Sequence, residues 1–225
     1  MAFLANKTSI VIPLIIMLVV TTITSGSVTE LAFSKDEPTP RNWPEKFHAL
    51  LVMNYTDTNM LVVNNLWYDW QNGLNVQLMQ HQQGKLVHAV SWNNGTSFYF
   101  TLRSDRIIEC IPHEFGVGIL RPNFLEGANY LGQVQIDGFL CNLWEKEEFI
   151  WYYEDVVTKR PIHWLFYTGL DVHVMTFEEV DEMVDSSQWQ APDYCFGKAV
   201  KVSTDSAFVA TELSRSPLIT LDRLH

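Results

Sequence analysis

Ser97-Phe98-Tyr99-Phe100-Thr101-Leu102 and Phe149-Ile150-Trp151-Tyr152-Tyr153 set large apolar groups on consecutive positions. Side chains of a strand point alternately to its two faces, so a sheet with one wet side alternates apolar and polar residues. These two stretches do not alternate, and both of their faces need cover. A strongly curved antiparallel sheet around an internal apolar space, with further chain packed outside, meets that need; so does a two-sheet sandwich.

Outward from these stretches the same chemistry repeats. From Phe47 on, short runs rich in β-branched and aromatic residues are separated by turn signals about every 8 to 12 residues, the rhythm of an all-β chain rather than of βαβ units. The pattern predicts strands near 46–54, 60–70, 74–81, 85–92, 96–103, 106–111, 133–144, 148–157, 161–168 and 171–178. Asn72-Gly73, Gln83-Gly84, Asn93-Asn94-Gly95, Ser104-Asp105, Arg160-Pro161 and Thr168-Gly169 break them, and such residues take up turn conformations that bulkier ones resist. Pro122 to Leu131 has apolar groups at 124, 125, 128 and 131, which predicts one short helix or a folded loop. The acidic stretch 179–190 is a second candidate helix. The fold class expected is therefore all-β with one or two short helices: a curved antiparallel sheet or open barrel enclosing an apolar pocket.

Composition bounds the partners. The chain has 225 residues, 47% hydrophobic and 18% charged, an ordinary globular balance, and 15 basic against 26 acidic residues give a net charge of −11. That charge repels phosphate backbones, so nucleic acid is not an expected partner. Ile10 to Val20, with Lys7 before it and small polar residues after it, has the layout of a cleavable signal peptide over 1–27. Eleven residues at about 1.5 Å each fall well short of a hydrocarbon core of about 30 Å, so no permanent membrane span is expected there. Residues 28–41 read as a flexible lead-in, 42–197 as the ligand-binding β domain, and 198–225 as a mobile tail.

Two sequons, Asn54-Tyr55-Thr56 and Asn94-Gly95-Thr96, end apolar stretches and are candidate glycosylation sites at Asn54 and Asn94. Cys110, Cys141 and Cys195 are an odd number, which in an oxidising lumen predicts one bridge and one free thiol, with all three pairings open. The expected location is the secretory pathway, either outside the cell or in an endomembrane lumen such as the vacuole.

No GxSxG, GxGxxG, P-loop, HExxH or paired D-x-D pattern is present, so neither cofactor nor metal is expected. What could carry chemistry is placed by hairpin geometry. If Val156 opposes Pro161, then Glu154 opposes His163 and Tyr152 opposes Leu165, and a Glu154/His163 acid/base pair forms beside Tyr152. A two-residue turn at Gly169-Leu170 sets Phe166 against His173, which puts His173 on the face opposite His163, so no His163/His173 metal site is expected; a one-residue slip reverses that. His48, His113, Glu114 and Asp69 read as structural, Asp137-Gly138 as a bulge or tight turn, and the acidic run 178–182 as a solvated face. Eight Trp, 13 Phe and 8 Tyr supply flat rigid walls, and Phe98, Phe100, Trp151, Tyr153, Trp164 and Phe166 are the expected pocket lining.

Trp43-Pro44-Glu45-Lys46-Phe47-His48-Ala49-Leu50, Gly118-Ile119-Leu120-Arg121-Pro122-Asn123, the stretch from Asp137 through Trp144 to Lys146, that from Trp151 to Pro161, and Trp189-Gln190-Ala191-Pro192 resemble a family of plant secretory-pathway proteins. Members are described either as uncharacterised or as transferring glycosyl groups, and the resemblance spans about 43–197. It implies a plant source. A more distant likeness, through Asp137-Gly138, Trp144, the aromatic strand and Arg160-Pro161, is to the ependymin and LolA-like carriers, which implies a curved antiparallel sheet cupping a hydrophobic pocket closed by helices. The expected function is binding of a hydrophobic small molecule or lipid. The alternative is a cofactor-independent cyclase or isomerase of plant metabolism using Glu154, His163 and Tyr152; glycosyl transfer is the third reading.

Overall fold

The computed structural model of the chain describes residues 37–82, 84–102, 110–182 and 189–196. The expected signal peptide, most of the lead-in and the expected tail lie outside those residues. Eleven strands form one antiparallel sheet: β1 (Lys46–Tyr55), β2 (Met60–Asp69), β3 (Leu74–His81), β4 (Leu86–Trp92), β5 (Thr96–Phe100), β6 (Cys110–Glu114), β7 (Asn129–Ile136), β8 (Phe139–Lys146), β9 (Ile150–Asp155), β10 (Pro161–Phe166) and β11 (Leu170–Glu179). Their order is β6-β5-β4-β3-β2-β1-β11-β10-β9-β8-β7. The fold is all-β as expected, and the sheet stays open, with β6 and β7 at its edges. No described helix is long and apolar enough to cross a membrane.

Several elements differ from expectation. The single strand expected at 133–144 is a hairpin, because Asp137 (φ 51°) and Gly138 (φ 84°) both take the left-handed backbone that a tight two-residue turn requires. Residues 122–127 form turns rather than a helix, and 129–136 continue as β7. Phe124 and Leu125 are buried there without helical periodicity, while Leu131 is exposed on β7. The second candidate helix begins inside β11, which runs to Glu179, and 183–188 lie outside the described residues. One short 3-10 turn, Asp193–Phe196, is the helical element near the end of the described chain.

The sheet is curled, and its packing proves it. Tyr99 on β5 and Ile150 on β9 line the same cavity, yet seven strand spacings of about 4.8 Å would hold them about 34 Å apart in a flat sheet. The inner face carries Phe47, Ala49, Leu51 and Met53 from β1, Val62, Leu66 and Tyr68 from β2, and Trp164, Phe166, Tyr152 and Trp144 from the other half, all in one buried cluster. An irregular segment, 115–128, closes this face. It buries Phe115, Val117, Ile119, Phe124 and Leu125 in the same cluster, and Tyr68 Oη donates to its Leu120 carbonyl at 2.7 Å. A Cβ on Gly118 would stand 2.2 Å from the Asn93 carbonyl oxygen, so the cover can approach the β4–β5 turn only with glycine there.

The outer face of β2–β6 has its own cover. Leu74, Val76, Val90, Phe98 and Phe100 pack with Ala191 and Cys195, flanked by Trp67, Trp92, Trp189 and Tyr194. This is why 97–102 is apolar on both faces. The Cys110–Cys195 disulfide, across 85 residues of sequence, fastens that cover to edge strand β6, while Cys141 is free and buried, its thiol pushed up to about 11 chiefly by desolvation. Closing so long a loop restricts the unfolded chain. Cys195→Ser should therefore cost about 2–4 kcal/mol, read as a lower urea midpoint; reductant should bring the parent down to the variant's midpoint and leave the variant unchanged.

Candidate functional site

The cavity of about 130 Å³ lies under the cover, against the inner face of the curled sheet. Its apolar wall comes from Leu51, Met53, Leu66, Met79, Ile150 and Val172, its aromatic wall from Trp43, Tyr68, Tyr99, Trp164 and Phe166, and its polar patch from Asn64, Asn75 and Gln77. Strand alternation sets this list: Leu51 opposes Asn64 and Met53 opposes Val62 on β2, while Asn64 opposes Met79 and Leu66 opposes Gln77 on β3. Trp43, from the segment before β1, joins this wall. Its ring meets Phe47, Tyr68, Phe124 and Trp164 at centroid distances of 4.7–5.8 Å, and its Nε1 donates to Tyr152 Oη at 3.0 Å.

The polar patch is incompletely satisfied. Asn64 Nδ2 donates to Gln77 Oε1 at 2.8 Å, but Asn64 Oδ1 and Asn75 Oδ1 are buried without a hydrogen-bond partner, as is Trp164 Nε1. Leaving a buried polar atom unpaired costs about 1–3 kcal/mol, so three such atoms on residues of one cavity wall are not neutral packing.

Of the expected pocket lining, Trp164 and Phe166 face this cavity. Phe98 and Phe100 lie on the outer face in the second cluster, and Trp151 and Tyr153 are half-buried on the outer face of β9. The contributions of β1–β3 were not expected, although the strict inward alternation of 47–55 and the amides set among apolar residues at 64, 75 and 77 are their sequence signal.

Glu154, Tyr152 and His163 are not brought together as a trio. β9 and β10 pair Glu154 with Pro161 and His163 with Tyr153, with a bulge between Pro161 and His163. That extra residue turns His163 to the outer face while Glu154 points inward, so the expected Glu154/His163 pair does not form. Glu154 is fully buried; its Oε1 accepts from the Arg41 amide at 2.9 Å, and Lys159 Nζ stands 3.8 Å from Oε2. Burial raises its pKa, with the Arg41 amide and Lys159 pulling the other way. The Tyr152 hydroxyl is pushed upward by burial as well, against the hydrogen bond from Trp43. Among the described residues, none that lines the cavity carries a carboxylate or an imidazole.

A second register also differs. β10 and β11 are joined through Tyr167, Thr168 and Gly169 (φ 79°) instead of a two-residue turn, and His163 directly opposes His173. Both imidazoles therefore share the outer face, where Asp137 of the β7–β8 turn meets them. Of the other candidates, His48 packs on Trp67 at 4.7 Å, His113 on Phe115 at 4.2 Å, and Asp69 accepts from the Asn72 amide at 3.0 Å, all structural roles. Asn94 is exposed and Asn54 half-buried.

The model of a family described as "Domain of unknown function (DUF8395)" matches residues 42–195. No curated protein matches the chain. Among solved structures, an uncharacterized conserved protein from Thermus thermophilus is 12% identical over 67% of this chain and 87% of that one, with a TM-score of 0.45. PNGF-II is 6% identical over 66% of this chain and 30% of that one, with a TM-score of 0.33. MucB, solved in complex with MucA(peri), is 13% identical over 69% and 55%, with a TM-score of 0.32. Likenesses at such scores carry no argument.

Glu154 yields a pH test. Its folded carboxyl keeps a proton to higher pH than the unfolded one, so its contribution to stability is present at low pH and is lost as pH rises past the ordinary carboxylate value. Glu154→Gln should unfold at a higher urea midpoint than the parent at pH 7, the gap closing by about pH 4; a gap that widens on acidification would contradict the raised pKa.

Proposed function

The chain belongs to the DUF8395 family, and from that premise we propose that it is a binding protein for a small apolar molecule bearing a hydroxyl or amide group, held in the cavity under the 115–128 cover. One observation carries this reading. The cavity wall is apolar and aromatic, yet the lining residues Asn64, Asn75 and Trp164 hold buried polar atoms with nothing to bond. Two are acceptors and one is a donor, which suits a hydroxyl: it donates to an amide oxygen and accepts from an N–H.

The cavity's size sets the scale of the ligand. At about 130 Å³ it is below the usual range of about 300–1,000 Å³ for drug-sized ligands and close to the roughly 150 Å³ that holds benzene. A single ring fits without rearrangement. A lipid chain requires the cover to move away from the sheet, so of the two ligand classes a small molecule is favoured over a lipid.

The setting we propose is the secretory lumen of a plant cell. The Cys110–Cys195 disulfide supports it, since such bonds persist in oxidising compartments, and so does the exposure of Asn94 in its sequon. The resemblance to plant secretory-pathway proteins and to ependymin and LolA-like carriers belongs to the same proposal.

Calorimetry with toluene and p-cresol tests the reading, because the two differ by the hydroxyl alone. The parent should bind both and prefer p-cresol, and Asn64→Leu should erase that preference, a loss of about 2- to 12-fold for one hydrogen bond. Leu66→Trp, which fills the cavity, should abolish binding of either probe. Binding that survives Leu66→Trp, or no binding to the parent, would refute the proposal.

A further inference from the structure

On the opposite face of the sheet from the cavity, two imidazoles and two carboxylates converge. His163 and His173 are direct cross-strand partners on β10 and β11, their rings 4.6 Å apart and nearly perpendicular at 88°. Asp137 Oδ2 stands 2.7 Å from His173 Nδ1 and 3.5 Å from His163 Nδ1. Asp171 closes the other side, its Oδ1 2.7 Å from His163 Nε2.

We propose that Asp137, His163 and His173 bind a divalent transition metal ion of the zinc class, with Asp171 orienting His163. Ligand atoms around a tetrahedral ion with bonds of about 2.0–2.1 Å stand about 3.3 Å apart; the separations of 2.7 and 3.5 Å fall on either side of that value, and one ligand atom from each of the three residues lies within 4.8 Å of the others. The donor set, two imidazoles and a carboxylate, suits zinc and its neighbours rather than calcium or magnesium, which take oxygen cages.

A second observation is independent of that clustering. His163 is 5% exposed, and its Nδ1, on the Asp137 side, is buried without a hydrogen-bond partner. A buried ring nitrogen with no hydrogen-bond partner is costly in a purely structural imidazole and is what a metal ligand presents. A carboxylate at the far nitrogen is the usual outer partner of a metal-binding histidine: it fixes ring orientation and raises ligand basicity. Asp171 Oδ1, itself buried without a hydrogen-bond partner, stands 2.7 Å from Nε2 at that position.

The site is open on one side. The side chains of His173 and Asp137 are 36% and 35% exposed, and both border a surface groove that also includes Phe139, Arg160 and Glu178. Three protein ligands and a solvent-facing fourth position are the pattern of zinc sites that hold water or a ligand, unlike closed structural sites with four protein ligands. On binding, the ion takes the place of the hydrogen bond between Asp137 and His173, and the proton of that bond leaves to solvent. The site shares no residue with the cavity lining, so its fate is separate from that of the binding proposal.

The test uses the full chain stripped with EDTA, titrated with ZnCl2 by calorimetry and with CoCl2 by visible absorption. One ion per chain is expected, with the intense visible bands of four-coordinate cobalt. The partly exposed ligands carry the mutagenesis, since their replacement leaves the core intact: His173→Ala and Asp137→Asn should each weaken binding at least tenfold, while the remote His113→Ala should not, with circular dichroism verifying that each variant is folded. No bound ion, or several weakly bound ions unaffected by His173→Ala and Asp137→Asn, would overturn the proposal.

Discussion

Trp43 is where the fold closes. A curled eleven-stranded sheet with an apolar inner face is unstable until something covers that face, and here the cover is a segment without regular structure, 115–128. Such a segment must be pinned to stay. Trp43 does this in three ways: its amide donates to the Pro122 carbonyl at 2.9 Å, its ring meets Phe124 of the cover and Trp164 of the sheet, and its indole N–H bonds Tyr152. Removing so large a buried aromatic typically costs about 3–5 kcal/mol. Cover, sheet and cavity share this side chain, so the cavity exists only where the fold is complete.

Most strands were legible and the registers of β9, β10 and β11 were not, for one physical reason. Strand limits follow local chemistry: Asn72-Gly73, Asn93-Asn94-Gly95 and Thr168-Gly169 mark turns wherever the chain places them. Register depends on single residues. The bulge between Pro161 and His163 and the three-residue turn Tyr167-Thr168-Gly169 each shift a pairing by an odd number of positions, and with a side-chain period of two an odd shift exchanges the faces. That parted Glu154 from His163 and brought His163 against His173.

Cover was legible as a need and illegible as an identity. Two apolar faces at 97–102 require something on both sides, yet nothing local says that one side is met by 115–128 and the other by 189–196. The cavity is hidden likewise. Trp164 and Phe166 are recognisable as lining because they alternate inward on an aromatic strand, whereas Asn64, Asn75 and Gln77 acquire meaning only when β2 and β3 are set side by side and their amides prove to be the polar patch of an apolar wall.

The same period of two links the sheet's two sites. Trp164 opposes Val172 on the cavity side, and the adjacent pair, His163 and His173, lies on the outer side. Neighbouring positions of one ladder thus present an apolar wall inward and a set of donors outward, and neither site can be moved without the other. An ion held between His163 and His173, as proposed, would bridge the β10–β11 ladder from outside at positions next to Trp164 and Val172 of the cavity wall.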